Sequence, residues 1–185
     1  VPGPALAHAR GLFRAAGKEL DAGFAVVMPP NYVALYDMRP EEEVARTLVR
    51  ATLSLNDIAG AIAEQKPSFP PPRFVSSVVG RLLYLILGRG FLRARRERDR
   101  RFMSDGQCNG CGTCVRVCPA NSIELANGRP RWLHRCEQCF ACVQFCPTHA
   151  IQVGDGRKTA RRGRYHHPDV TVADMVAQKS TGGRD

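Results

Sequence analysis

The chain has 185 residues, with 27 lysines and arginines against 17 aspartates and glutamates, a formal net charge of +10, and eight cysteines. That length holds one domain or two small ones, and neither a signal-peptide pattern nor a long uninterrupted apolar span, the marks of secretion or membrane insertion, is visible from Val1 onward. A disulfide framework is set aside too: such frameworks belong to small secreted chains, and here every cysteine lies in one of two identical runs, with none outside them.

The first segment, residues 1–65, reads as helix, strand, helix. Pro4 to Leu20 carries Leu6, Phe13 and Leu20 among several alanines, which suits a helix with one apolar stripe. Gly23 to Met28 is wholly apolar and bounded by Pro29 and Pro30, as a strand buried on both faces would be. Pro40 followed by Glu41, Glu42 and Glu43 marks a helix start, with acids facing the positive end of the dipole. Val44, Leu48, Ala51, Leu55, Ile58 and Ile62 continue that helix at three- and four-residue steps. A fully buried strand needs neighbours, so this segment reads as the end of a larger α/β domain, a helical cap being the alternative.

Residues 66–102 form a junction. Lys66 to Pro72 is a proline-stiffened linker, and Phe74 to Phe102 follows with Val75, Val78, Val79, Leu82, Leu85 and Ile86 at helical steps. Arg81 and Arg89 and three glycines argue against a membrane span. Peripheral membrane contact through an arginine-flanked amphipathic helix stays open. The helix ends in a basic run, Arg93, Arg95, Arg96, Arg98, Arg100 and Arg101, interleaved by Glu97 and Asp99. No nucleic-acid recognition pattern accompanies it, so no nucleic acid is expected. A solvated face that docks an acidic redox partner is the sharper reading.

The central segment, residues 103–156, contains the chemistry. Cys108, Cys111, Cys114 and Cys118 with Pro119 are repeated 28 positions later as Cys136, Cys139, Cys142 and Cys146 with Pro147. The shared spacing, C-x2-C-x2-C-x3-C-P, lets one tight loop offer three thiolates to a compact inorganic core. Zinc sites usually space their ligands as separated pairs, which the third cysteine of each run and the Cys-Pro ending do not match. The spacing resembles that of bacterial two-cluster ferredoxins, in which the fourth cysteine of each run ligates the other cluster. This likeness implies two 4Fe-4S clusters, one on Cys108, Cys111, Cys114 and Cys146, the other on Cys136, Cys139, Cys142 and Cys118. Around them, Ser122–Ala126, Asn127-Gly128 and Arg129–Trp132 predict a hairpin, and Ala150–Val153 a further strand. Short helices are expected after Cys114 and Cys142, with Val115, Val117, Val143 and Phe145 as apolar cover for the clusters.

The tail, residues 157–185, is basic and carries Tyr165, His166 and His167 before Pro168. Adjacent histidines point in different directions, so a segment folding back on the cluster module is preferred to a metal site. His134 and His149 are read as hydrogen-bonding neighbours and Trp132 as a packing residue. No catalytic constellation stands out.

Taken in order, Phe24 to Tyr32, the two cysteine runs with Arg129–Gly154, and Arg161–Val170 resemble the EFR-type flavodoxin/ferredoxin fusion proteins. The resemblance implies an α+β chain: a bacterial two-cluster ferredoxin-like domain preceded by an incomplete flavodoxin-like α/β segment, N-terminally truncated. Its implied function is electron transfer as the ferredoxin module of such a fusion, with redox proteins and a flavodoxin-like domain as partners. FMN would be bound only in a full-length parent, because the Ser/Thr-Gly-rich phosphate loop of the family has no counterpart in this sequence. The chain reads more as an electron carrier than as an enzyme. The alternatives are the iron-sulfur module of an FMN-dependent oxidoreductase and a basic iron-sulfur protein that senses or binds nucleic acid. Oxygen-sensitive clusters lead to an expected cytoplasmic location.

Overall fold

A computed structural model describes residues 5–69 and 95–181. Most of the expected linker and amphipathic helix, residues 70–94, lies outside the described residues. The chain divides into two compact units, one from residues 1–29 and 40–92, the other from residues 30–39 and 93–185.

In the first unit, helix α1 spans Ala5–Ala15 and helix α2 spans Glu41–Ala63. Helix α1 stops short of the expected Leu20 because Gly17 takes a left-handed conformation, φ 69°, which lets Lys18 N-H close back on the Phe13 carbonyl at 2.9 Å. Helix α2 begins as expected, with Pro40 preceding three glutamates. Its far end closes by paired bonds, Gln65 N-H to Ile62 O and Lys66 N-H to Ala61 O, around a left-handed Gln65. The run Gly23–Met28, expected as a buried strand, forms none. Only Ala22 bridges to Ser68, and Val27 and Met28 are 73% and 46% exposed. No strand lies beside it among the described residues of this unit, so no ladder can form. Among the described residues no helix is long and apolar enough to cross a membrane.

The second unit holds the cysteines. After a 3-10 segment, Arg95–Arg101, the order is β1 (Phe102–Ser104), α3 (Thr113–Arg116), β2 (Ile123–Ala126), β3 (Arg129–Trp132), α4 (Ala141–Gln144), β4 (Ile151–Val153), a 3-10 turn at Thr159–Arg161, and α5 (Val172–Thr181). The hairpin β2–β3 forms as the Asn127-Gly128 signal requires, both residues having positive φ. Strand β1 replaces the end of the expected helix to Phe102. It pairs antiparallel with β4, Phe102 opposite Val153 and Ser104 opposite Ile151.

The 28-residue repeat is visible in the backbone. Ile123 pairs with Trp132 in one sheet, and its counterpart Ile151 pairs with Ser104, the counterpart of Trp132, in the other. Each two-stranded sheet is therefore built between repeats. A two-stranded pair is marginal alone in water, so each repeat depends on strands supplied by the other. A small core joins Val143, fully buried, with Ile123, Ile151, Phe102, Phe140 and Val33, and Val117 is fully buried as well. Rings of Tyr32, Phe140, Phe102 and Trp132 form a chain with centroids 4.5, 5.4 and 5.8 Å apart. Each such pair adds about 0.5–1.5 kcal/mol beyond area burial.

Two flanking segments are fastened onto this core by one side chain. Gln144, 6% exposed, donates to the Asn31 carbonyl and accepts from Tyr165 N-H at 2.7 Å. The tail accordingly folds back: His166 stacks on Phe145 at 4.3 Å and Arg164 donates to the carbonyls of Thr159, Arg162 and Ile151. Replacing Gln144 by Ala removes both part-buried bonds, a loss of about 0.5–1.5 kcal/mol each. Hydrogen exchange is expected to rise selectively around Asn31 and Tyr165, with a lowered melting temperature.

Candidate metal centre

Each cysteine loop is shaped by two left-handed residues. In the first they are Gly110 and Gly112, φ 72° and 71°; in the second they are their counterparts Gln138 and Phe140, φ 57° and 62°. The turn at the second of these starts the short helix: Gly112 leads into α3 and Phe140 into α4. A left-handed side chain costs roughly 1–2 kcal/mol. Phe140 is 2% exposed between Tyr32 and Phe102, and burying an aromatic ring contributes about 1.5–3 kcal/mol, enough to offset its strain.

The fourth cysteines are held alike. Ser122 N-H donates to Cys118 Sγ at 3.3 Å, and 28 residues on Ala150 N-H donates to Cys146 Sγ at 3.3 Å. Ser122 also fixes the next run, its hydroxyl accepting from Arg135 N-H at 2.9 Å.

The thiols gather across the repeats. Cys114 is acted on by the charges of Cys146, Cys111 and Cys108. Cys142 is acted on chiefly by Cys139, Cys136 and Cys118. A cavity beside the second group is lined by the sulfur-bearing residues Cys118, Cys136, Cys139 and Cys142, with walls of Phe102, Pro119, Ala120, Ile123, Trp132 and Phe140. The four expected ligands of one cluster thus share one apolar recess.

The electrostatics of these groups call for a cation. Burial, and then the neighbouring thiolates, push the Cys114 thiol up to about 11 and the Cys142 thiol well above its ordinary value. Cys136 and Cys139 are also raised, in both cases mainly by burial. Cys111 is lowered, first by the Thr113 hydroxyl 3.4 Å from its sulfur. Four thiolates grouped in a largely apolar recess repel one another, whereas a bound iron core would supply the compensating positive charge. Among the described residues no three Cys, His, Asp or Glu side chains converge closely enough to hold a single metal ion. In a cubane each thiolate binds its own iron, so the ligands stand farther apart than around one zinc. The donor set fits an iron-sulfur core.

Residues 102–147 match the family described as a 4Fe-4S dicluster domain, and the match contains all eight cysteines. Comparison with curated proteins and with solved structures gave no match.

Of the residues singled out in the sequence, all eight cysteines lie in the second unit. His134 is a hydrogen-bonding neighbour: its Nδ1 lies 2.7 Å from Oδ1 of Asp99. The His149 carbonyl accepts from Gln152. Trp132 packs on Phe102 and lines the cavity.

Four contributors were missed. Asp99, which reads as one acid interleaving a solvated basic run, is 1% exposed and acts on Cys136. The Gln138 side chain donates to Cys136 Sγ at 3.4 Å. Thr113 sits beside Cys111, and Arg116 donates to Thr113 Oγ1 at 3.2 Å. Comparing the repeats position by position would have exposed the last two, since Ala141 and Gln144 stand at the equivalent places.

A β-carbon on Gly110 would lie 2.8 Å from the Gly128 carbonyl oxygen, at a left-handed backbone position. Backbone cannot yield as a side-chain tip can, so Gly110→Ala is expected to cost about 1–3 kcal/mol and to lower iron retention, measured by thermal unfolding and iron content.

Proposed function

We propose that this chain is an electron carrier holding two 4Fe-4S clusters, one on Cys108, Cys111, Cys114 and Cys146 and one on Cys136, Cys139, Cys142 and Cys118. The observation that carries the reading is the grouping of the thiols. Cys146 acts on Cys114 of the other run, Cys118 acts on Cys139 and Cys142, and one cavity is lined by Cys118, Cys136, Cys139 and Cys142, which supports the crossed sets. When bound, each cluster supplies a one-electron redox centre. The protein's own residues contribute ligands, hydrogen bonds to sulfur and an apolar wall. Cys111 and Cys139 are the exposed cysteines, one in each set, which gives each cluster one edge facing solvent.

The cluster unit exposes several arginines, of which Arg131 and Arg157 pair with Glu124 and Asp155. Arg116, Arg129, Arg131, Arg135, Arg157 and Arg161 are exposed in the cluster unit, and complementary charge raises the encounter rate with a partner more than the affinity. An acidic redox protein is the partner that this surface suits. The sequence resemblance further supports a flavodoxin/ferredoxin fusion as parent, with FMN confined to that parent, and oxygen-sensitive clusters suit the cytoplasm.

Anaerobic reconstitution is expected to give about eight irons per chain with reversible reduction; zinc without iron would overturn the reading. Cys118→Ala is expected to cost about half the iron. Alkylation and mass mapping should then label Cys136, Cys139 and Cys142 while Cys108, Cys111, Cys114 and Cys146 stay protected. Labelling of the first run instead would exclude the crossed assignment.

A further inference from the structure

The duplicated backbone makes the two ligand sets an internal comparison. Their loops agree in turn geometry, short helix and fourth-cysteine hydrogen bond, so differences in environment come from side chains. N-H donors do not separate them strongly. Thr113 N-H, Val115 N-H and Ala150 N-H reach the sulfurs of Cys111, Cys114 and Cys146. In the other set Gln138 N-H, Ala141 N-H and Ser122 N-H reach those of Cys136, Cys139 and Cys118, and the Gln138 side chain adds another.

Charge does separate them. Beside Cys111 stands the relay Arg116, Thr113 hydroxyl, sulfur, with steps of 3.2 and 3.4 Å. The half-buried Arg164 guanidinium also interacts with Cys146, and with Asp105 as well. In the second repeat the relay is gone, Ala141 and Gln144 standing at the equivalent positions, and Glu137 replaces Asn109. Glu137 acts on Cys139 and the buried Asp99 acts on Cys136. His134 takes one oxygen of Asp99, while Oδ2 is buried without a hydrogen-bond partner.

We propose that the two ligand sets hold their clusters at different reduction potentials, the Cys108 set higher and the Cys136 set lower, with Arg116 and Asp99 as the residues that set the order. Reduction adds one negative charge to a cluster. A nearby cation stabilises the reduced form and a buried anion destabilises it, net charge and hydrogen bonds to sulfur being among the controls of iron-sulfur potentials. The first electron taken up therefore resides on the Cys108 set, and the Cys136 set is filled only by a stronger reductant. Cys111 and Cys139 then mark two chemically unlike faces, one beside a cation and one beside an acid. This ordering rests on the two-cluster reading above.

The test is a redox titration with dithionite of the reconstituted full chain, followed by electron paramagnetic resonance, with iron assayed on the same samples. Two midpoints are expected. Asp99→Asn should shift only the lower one upward, and Arg116→Gln, which installs the residue found at the equivalent place in the second repeat, should shift only the higher one downward. Arg116 is exposed, so its variant keeps the test usable if the buried Asp99 variant folds poorly. About eight irons with a single midpoint, or with Arg116→Gln leaving both unmoved, would overturn the ordering and leave the two-cluster reading standing. About four irons would overturn both.

Discussion

Everything in the cysteine-bearing unit depends on holding thiols where they do not readily ionise. Cys142 is buried beside three other cysteines, and Cys114 is pushed up to about 11 by burial and then by its neighbours. Such a constellation opposes its own formation unless positive charge enters with it. Iron supplies that charge, and because the ligands must shed protons to bind, loading is coupled to folding. The core around the site is small, with Val117, Val143 and Ile151 among its few fully buried apolar side chains. A domain of this size gains little from apolar burial alone. An inorganic core bound there would serve as a structural centre of the unit.

The interlocked sheets follow from the same constraint. If the fourth thiolate of each set comes from the other repeat, the two loops must be held at fixed separation and orientation before the ligands meet. Pairing β1 with β4 and β2 with β3 does this, since each sheet joins one repeat to the other. The strand exchange would then hold such a ligand exchange in place. Gln144 adds a third tie by fastening residues 30–39 and the tail to the same core.

The site was far more legible in the sequence than its frame. The cysteine spacing marks the eight residues that the dicluster-domain match contains, and Asn127-Gly128 forces a hairpin by its backbone preference. The Gly23–Met28 run misled because apolar composition signals a buried strand only where a partner strand exists, and none lies beside it among the described residues of its unit. Strand β1 escaped notice for the opposite reason. It is three residues long, follows a helix-like basic run, and finds its partner at Ile151–Val153, a pairing that no local pattern encodes. Asp99 failed to stand out because alternation of arginine with acid usually marks a solvated face.

Divergence between duplicated halves is informative in a way that single residues are not. Positions that must be shared for ligation, the cysteines, the prolines and the left-handed turns, are shared in kind even where Gln138 and Phe140 carry a strain that Gly110 and Gly112 do not. Where the cysteine loops differ in polarity, as at Thr113 and Arg116 against Ala141 and Gln144, the local backbone is alike, whereas Asp99 comes from the 3-10 segment before β1, which the other repeat replaces with a hairpin turn. Position within the protein then sets the weight of each. Arg116 is exposed and its field is screened by water and salt, whereas Asp99 is 1% exposed and its field is screened much less. Burial therefore favours Asp99 as a control, although on Cys136 it stands behind the thiol's own burial and the Gln138 hydrogen bonds.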